Sequence, residues 1–273
     1  MLSPVSGFLA QAGFTHSLTP ARNCTFGCTY CYVPTLRIYG GLKPADWEHW
    51  GQFTTFKPNV AHAVEKELRS QQRIYCSPLV DPYQPAEEEE CAMPGILKAV
   101  IYRPPAAFVI QTRGPLLLRD LDLLRCIPKL RVSFSVTTDR EDVRKLYEPH
   151  CVSIAERWRT IKTLREAGLE VYATLAPLLP CDPERLMDTA LQVTGNPIIA
   201  DPLHNRATKS RGATTREAAL HISRKHGWLE WHDPAFQNSV IERMAKVALG
   251  AQRQFGTGPP AFGWLALDSG KTS

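Results

Sequence analysis

A chain of 273 residues has room for one large domain, or two small ones, around a sizeable buried core. Its 44% apolar and 22% charged residues are ordinary for a globular protein, and no run approaches the roughly eighteen uninterrupted apolar residues of a membrane span. The net charge of +5 permits an anionic partner without requiring one; the opening MLSPVSGFLAQAGF lacks the basic start and apolar core of a signal peptide, so a cytoplasmic protein is expected.

After an N-terminal lead (1–13), short strand-like runs alternate with helix-like ones. FTHSL (14–18) reads as a first strand, followed by a long loop. Pro58 suits the first turn of a helix over 58–70, in which Val60, Val64 and Leu68 recur every four residues. RIYCS (73–77) reads as the second strand, CAMPGILKAVIY (91–102) as a helix, AAFVIQT (106–112) as the third strand and RDLDLLRCI (119–127) as the next helix. LRVSFSVTT (130–138) alternates with period two, as a strand should. Ser153 and Glu156 form a capping box that opens a helix closing at Gly168. LEVYATLAP (169–177), a helix over 183–194 and NPIIAD (196–201) complete the series.

Six successive strand–helix units imply an α/β fold with a parallel sheet and right-handed crossovers. Spread over residues 14–202, they suit an incomplete (βα)6 TIM-like barrel better than a full eight-fold one, which usually takes about 250 residues. Residues 203–273 then form a C-terminal extension. It comprises a basic, hydroxyl-rich stretch (206–227), a helix over 241–254, and a Gly/Pro-rich run, FGTGPPAFGW (255–264), expected to hold no regular structure for long. The basic stretch offers cations for phosphates or a solvated face.

Three of the eight cysteines crowd together as Cys24, Cys28 and Cys31, in CTFGCTYC; the other five are scattered singly. In a reducing compartment such clustering points to metal and not to disulfides. Thiolates are the usual ligands of iron–sulfur clusters, and three of them leave one iron open to a small molecule. A structural zinc site would need a fourth ligand, for which His16 or His49 would have to be recruited. Cys91, Cys126 and Cys151 lie in or beside helical segments and read as packing residues, and no second cysteine constellation suggests an auxiliary cluster.

The C-x3-C-x-aromatic-C pattern, in the loop after a first barrel strand, resembles the signature of the radical S-adenosylmethionine (SAM) superfamily. The chain is further similar to the spore photoproduct lyase family on CTYCYVP (28–34), DPYQPAE (81–87), QTRGPLLLRDLDLL (111–124), VSFSVTT (132–138), Glu148–Pro149 and ERWRTIKTLREAGL (156–169). The resemblance implies a TIM-like radical SAM barrel with a [4Fe–4S] cluster on Cys24, Cys28 and Cys31. It also implies SAM bound to the fourth iron and a reducing partner such as flavodoxin or ferredoxin. One electron would then cleave SAM to methionine and a 5′-deoxyadenosyl radical that abstracts hydrogen from substrate.

By the same resemblance Tyr30 stands where the family places an aromatic beside the adenine. Arg113 replaces a lysine and would pair with the SAM carboxylate. Ser135 corresponds to a serine that contacts SAM, with Ser133 as its same-face competitor. Ser77 and Asp81, after the second strand, are candidates to accept from the SAM amino group, unless Asp81 merely starts the DPYQP turn. Cys76 and Tyr32 occupy places like those of the hydrogen-returning cysteine and the radical-relaying tyrosine of spore photoproduct lyases. Cys181, after the fifth strand, is a second candidate thiol, and Cys76 has the alternative of being a small apolar strand residue.

Only 23 residues precede Cys24, fewer than in spore photoproduct lyases, and no match to their DNA-gripping C-terminal region is found. The resemblance therefore carries radical chemistry further than it carries lesion repair. The leading expectation is a radical SAM enzyme acting on a nucleic-acid base or nucleotide. The alternatives are the same chemistry on a peptide or small metabolite, and a non-catalytic iron–sulfur or zinc protein.

Overall fold

The computed structural model describes residues 1–203 and 216–267. Strand β1 (Leu2–Pro4) and helix α1 (Gly7–Gln11) open the chain, before β2 (His16–Leu18). Then come α2 (Val60–Glu67), β3 (Arg73–Cys76), α3 (Ala92–Tyr102), β4 (Ala107–Thr112), α4 (Leu121–Arg125) and β5 (Leu130–Ser135). Two helices, α5 (Glu141–Tyr147) and α6 (Ile154–Glu166), precede β6 (Val171–Leu175); α7 (Pro183–Val193) leads to β7 (Ile198–Ala200). The C-terminal part adds α8 (Glu217–His226), α9 (Pro234–Gly250), β8 (Phe255–Thr257) and α10 (Gly258–Ala266).

All six expected strands form, pair in sequence order and run parallel from β2 to β7, giving the α/β architecture of an incomplete barrel. The helices start where local chemistry satisfies their free N–H groups. The Ser153 side chain accepts from Glu156 N (3.2 Å) at α6, and Asp182 does the same for Arg185 N (3.0 Å) at α7, with Pro183 in the first turn. Strand alternation sends Ile74, Phe108, Ile110, Val132, Phe134 and Ala173 outward, into one core with the apolar stripes of the helices. Tyr75, Val109, Tyr172 and Ile199 point to the other face and pack on Phe14, Phe262 and Leu265.

Three features depart from the sequence expectation. The N-terminal lead is built into the sheet: β1 pairs antiparallel with β2, and α1 packs on α10 through Phe8 and Phe262, whose ring centroids lie 5.1 Å apart. Helix α5, between Ser135 and Ser153, was not expected; its short buried stripe, Val143 and Tyr147, gives too little periodicity to read.

The Gly/Pro-rich run is regular. Residues 255–257 form β8, parallel to β7, and 258–266 form α10. Pro259 and Pro260 fall in the first helical turn, where a missing N–H costs nothing. Gly256 serves packing and not turning, because a Cβ there would lie 2.8 Å from the Trp264 ring. The sheet thus draws strands from 1–13, 14–202 and 203–267 alike. Most of the basic stretch, 206–215, lies outside the described residues; its last turns form α8.

Candidate functional site

Cys24, Cys28 and Cys31 lie in the long loop after β2, at the C-terminal edge of the sheet where α/β barrels carry their chemistry. Asn23, in a left-handed conformation (φ +62°), anchors the loop. Its Oδ1 accepts from Cys24 N (2.7 Å) and Gly51 N (2.9 Å), while Nδ2 donates to the carbonyls of Asp46 (3.2 Å) and His49 (3.1 Å). Gln84, in the turn after β3, accepts from Thr25 N (2.7 Å) and Thr54 Oγ1 (2.7 Å).

Between these anchors the two arms of the loop touch backbone to backbone. A Cβ on Gly51, whose φ is +93°, would lie 2.8 Å from Gly27 Cα. Gly51→Ala is therefore expected to cost roughly 1–3 kcal/mol, the range for forced overpacking. A lower thermal midpoint and weaker iron retention after anaerobic reconstitution would register it; an unchanged midpoint would show that the loop relaxes freely.

The three thiols sit in different electrostatic surroundings. Burial pushes Cys24 well above the usual thiol range, helped by the Asp81 carboxylate. Burial and the neighbouring Cys28 push Cys31 up to about 12. Cys28 goes the other way: a hydrogen bond from the Cys151 thiol, aided by Arg113, holds it below the ordinary value despite burial. Cys151, read from sequence as packing, is buried directly against Cys28. Among the described residues no three His, Cys, Asp or Glu side chains stand close enough to share a single metal ion.

Behind Cys28 lies a closed polar network that sequence reading missed. Glu148, fully buried, accepts from Tyr30 Oη (2.5 Å) and Thr137 Oγ1 (3.0 Å), and its other oxygen lies 2.5 Å from Arg157 Nη2. Arg113 Nη1 meets Glu148 and the Tyr30 hydroxyl, and it donates to Cys28 Sγ at 3.4 Å. Burial alone would raise the Glu148 carboxyl; attraction to Arg157 and Arg113 outweighs it and holds the group down to about 2. Tyr30 is buried with Arg113 over its ring, 5.8 Å from the centroid, so that face is already covered.

The inner face of the sheet carries a second polar layer. Gln111 accepts from Tyr75 Oη and Ser133 Oγ (2.7 Å), and its Nε2 donates to Ser135 Oγ (2.5 Å). Ser133 also shares a hydrogen bond with Thr174 (2.5 Å), which commits it inside the sheet. Ser135 is two residues nearer the strand end and, among the described residues, has only the Gln111 bond. Ser77 Oγ is buried with no hydrogen-bond partner among the described residues. Asp81 is committed to its turn, accepting from Tyr83 N (2.9 Å), Thr112 Oγ1 (2.6 Å) and Arg113 N (2.8 Å), which is the turn-starting role.

The two candidate hydrogen donors are placed apart from this layer. Cys76 pairs in register with Leu18 and Ile110 and packs outward among helix side chains, because alternation puts Tyr75, and not Cys76, on the inner face. Of the two alternatives for Cys76, a hydrogen-returning thiol and a small apolar strand residue, this placement favours the second. Cys181 is half-buried beside Asp139 and Asp182 at the far end of the sheet edge. Tyr32 donates to the Pro78 carbonyl (2.9 Å) and lies near Tyr75.

Of the missed residues, Gln84 stands inside the DPYQP motif and Glu148 heads Glu148–Pro149, so both were visible as motif members without a role. Gln111 and Arg157 likewise stand inside matched segments, 111–124 and 156–169, without a role, and Asn23 carries no signal beyond its polarity.

Comparison with known proteins agrees with this geometry. The family model of the radical SAM superfamily matches residues 18–192. An uncharacterized protein of Methanocaldococcus jannaschii is 29% identical over 157 residues, which is 58% of each chain, so the match spans little more than half of that relative. Among solved structures, spore photoproduct lyase complexed with dinucleoside spore photoproduct has a similar fold (TM-score 0.63, 13% identity, 94% of this chain and 78% of that one). So does Streptococcus suis SuiB bound to the precursor peptide SuiA (TM-score 0.60, 13% identity, 91% and 51%). With its family match covering most of the chain and its three thiols in the loop after the first parallel strand, the chain belongs to the radical SAM superfamily and is an enzyme of that class.

Proposed function

We propose that Cys24, Cys28 and Cys31 hold a [4Fe–4S] cluster that cleaves SAM reductively, and that the enzyme acts on a nucleic-acid base or nucleotide. The donor set fits such a cluster: three thiols in one braced loop, with cationic and thiol donors aimed at Cys28. The unpartnered Ser77 hydroxyl, and Ser135 at its strand end, are the groups left to meet the polar ends of SAM. When bound, the cluster and SAM supply a one-electron cleavage that yields methionine and a 5′-deoxyadenosyl radical. The chain's own part is to orient these groups and exclude water: Asn23 and Gln84 fix the loop, and Arg113 braces its Cys28 side. An external one-electron donor such as flavodoxin or ferredoxin completes the reading.

The observation that carries the substrate class is a cavity of about 530 Å3 lined by Pro34, Thr35, Arg37, Trp47 and Arg216. Arg216 is close enough to Cys31 to act on its charge, and the Arg37 guanidinium lies 6.0 Å from the Trp47 ring centroid. Two cations beside an indole suit a phosphate and a stacked base. The cavity is open to solvent and not a closed small-molecule pocket, which favours a polymer. The outward Cys76 gives no support to a lyase-like cysteine–tyrosine relay, so hydrogen return through SAM recycling or an external electron is the reading we adopt.

The test uses anaerobically reconstituted enzyme, SAM, and deuterated oligonucleotides or peptides, with mass spectrometry of 5′-deoxyadenosine. Label arriving from an oligonucleotide is the expected result, and label arriving only from a peptide overturns the substrate assignment. Arg37→Glu with Arg216→Glu should raise KM for the nucleic acid roughly 10–100-fold, the scale of lost charge-assisted hydrogen bonds. SAM cleavage without substrate should be unchanged in the Arg37→Glu single variant, since Arg216 and not Arg37 acts on the charge of Cys31.

A further inference from the structure

Arg157 is fully buried, yet among the described residues its Nε and Nη1 have no hydrogen-bond partner, and its Nη2 makes a close ion pair with Glu148 and not a well-aligned hydrogen bond. A buried guanidinium so poorly satisfied is costly, and replacing a whole buried charge set by apolar groups is often neutral or stabilising. Packing therefore gives no reason for burying the Glu148–Arg157 pair here. Its surroundings do.

Two guanidiniums, Arg113 and Arg157, face one carboxylate, Glu148, and leave one surplus positive charge. Glu148 is a carboxylate here, because it accepts from Tyr30, Thr137 and Arg113 and pairs its other oxygen with Arg157. The surplus sits against Cys28, whose sulfur takes a hydrogen bond from Arg113 at 3.4 Å and whose charge both arginines stabilise. The half-buried Asp81 carboxylate lies on the Cys24 side and is held by three donors of its own.

We propose that Glu148 and Arg157 are positioning residues that, with Arg113, hold a net positive charge under Cys28 and so raise the reduction potential of the cluster bound there. The inference rests on the cluster assignment above. Adding an electron makes the cluster and its thiolates more negative, so a fixed positive charge in a poorly screened interior favours the reduced state. Glu148 sets the size of that charge at one and not two, and it aims Arg113 at the sulfur. Both residues work through electrostatics and neither has to touch substrate.

The experiment is an EPR-monitored redox titration of the holoenzyme. Arg157→Gln should make the cluster about tenfold harder to reduce, a fall of about 59 mV for one electron. Arg157→Lys, which keeps the charge, should stay close to wild type. Glu148→Gln, which uncovers a second positive charge, should shift the potential upward. Opposite shifts in the two charge-changing variants, with iron and sulfide content unchanged, are what a merely structural role would not produce. Equal potentials in wild type, Arg157→Gln and Arg157→Lys at full iron content overturn the proposal alone. A wild-type protein that takes up no cluster overturns the cluster assignment, and this inference with it. Should Glu148→Gln fail to fold, the two Arg157 variants still decide the sign.

Discussion

Alanine at Cys24, Cys28 or Cys31 is expected to reduce the iron content of reconstituted protein from about four per chain to background and to abolish SAM cleavage. The reason is arithmetic of ligands: a cubane with one iron already open to a small molecule has no thiolate to spare. Cys151 lies against Cys28 but cannot substitute for it without moving, because its backbone is tied down. Its N–H donates to Glu148 O (3.1 Å) and its carbonyl accepts from Arg144 Nη1 (2.7 Å). Iron and sulfide analysis with detection of 5′-deoxyadenosine checks the point. Any single variant with full activity would remove that cysteine from the ligand set.

The second large effect concerns stability. Glu148→Leu should destabilise the cluster-free protein by about 3–5 kcal/mol, since it leaves the buried Arg157 and the half-buried Arg113 without their counter-charge. The pH dependence follows from the same interaction. The carboxyl is held down to about 2 in the folded chain against an ordinary value of 4.5, so its contribution is fully present above about pH 4.5. It is lost as the pH falls through about 2, because only below that value do folded and unfolded chains both carry the proton. The depression is worth about 3 kcal/mol, in line with the mutational estimate. Urea unfolding at pH 7 and at pH 2.5 should show the wild type and the Glu148→Leu variant converging in acid. A constant gap between them would place the stabilisation in packing, not in charge.

The sheet was legible because its signals are contiguous. Alternation over 130–135 or 171–175, and a cap such as Ser153 with Glu156, are decided by neighbours in sequence, and the structure has these elements within two or three residues of the expected ends. The run 255–264 was misread because glycine and proline have two uses: they break structure, and they permit close packing or open a helix. Only the position of Trp264 over Gly256 distinguishes them, and that is a contact made by the fold.

For the site, the sequence alone was enough to identify the three-cysteine loop and the family it resembles, because the spacing of Cys24, Cys28 and Cys31 in one loop is itself the chemistry. The polar partners could not be read that way. Tyr30 and Glu148 are 118 residues apart, Arg113 and Glu148 are 35 apart, and Thr25 and Gln84 are 59 apart. No local pattern says that Arg113 turns to Glu148, that Arg157 lies unsatisfied behind it, or that Cys151 reaches Cys28. The face of Cys76 was decidable in principle by alternation, yet which face lined the barrel needed the register of β3 against β2 and β4. Spacing along the chain singled out which atoms are the candidate iron ligands; the crossing of distant segments in a low-dielectric interior decided which charges those atoms feel.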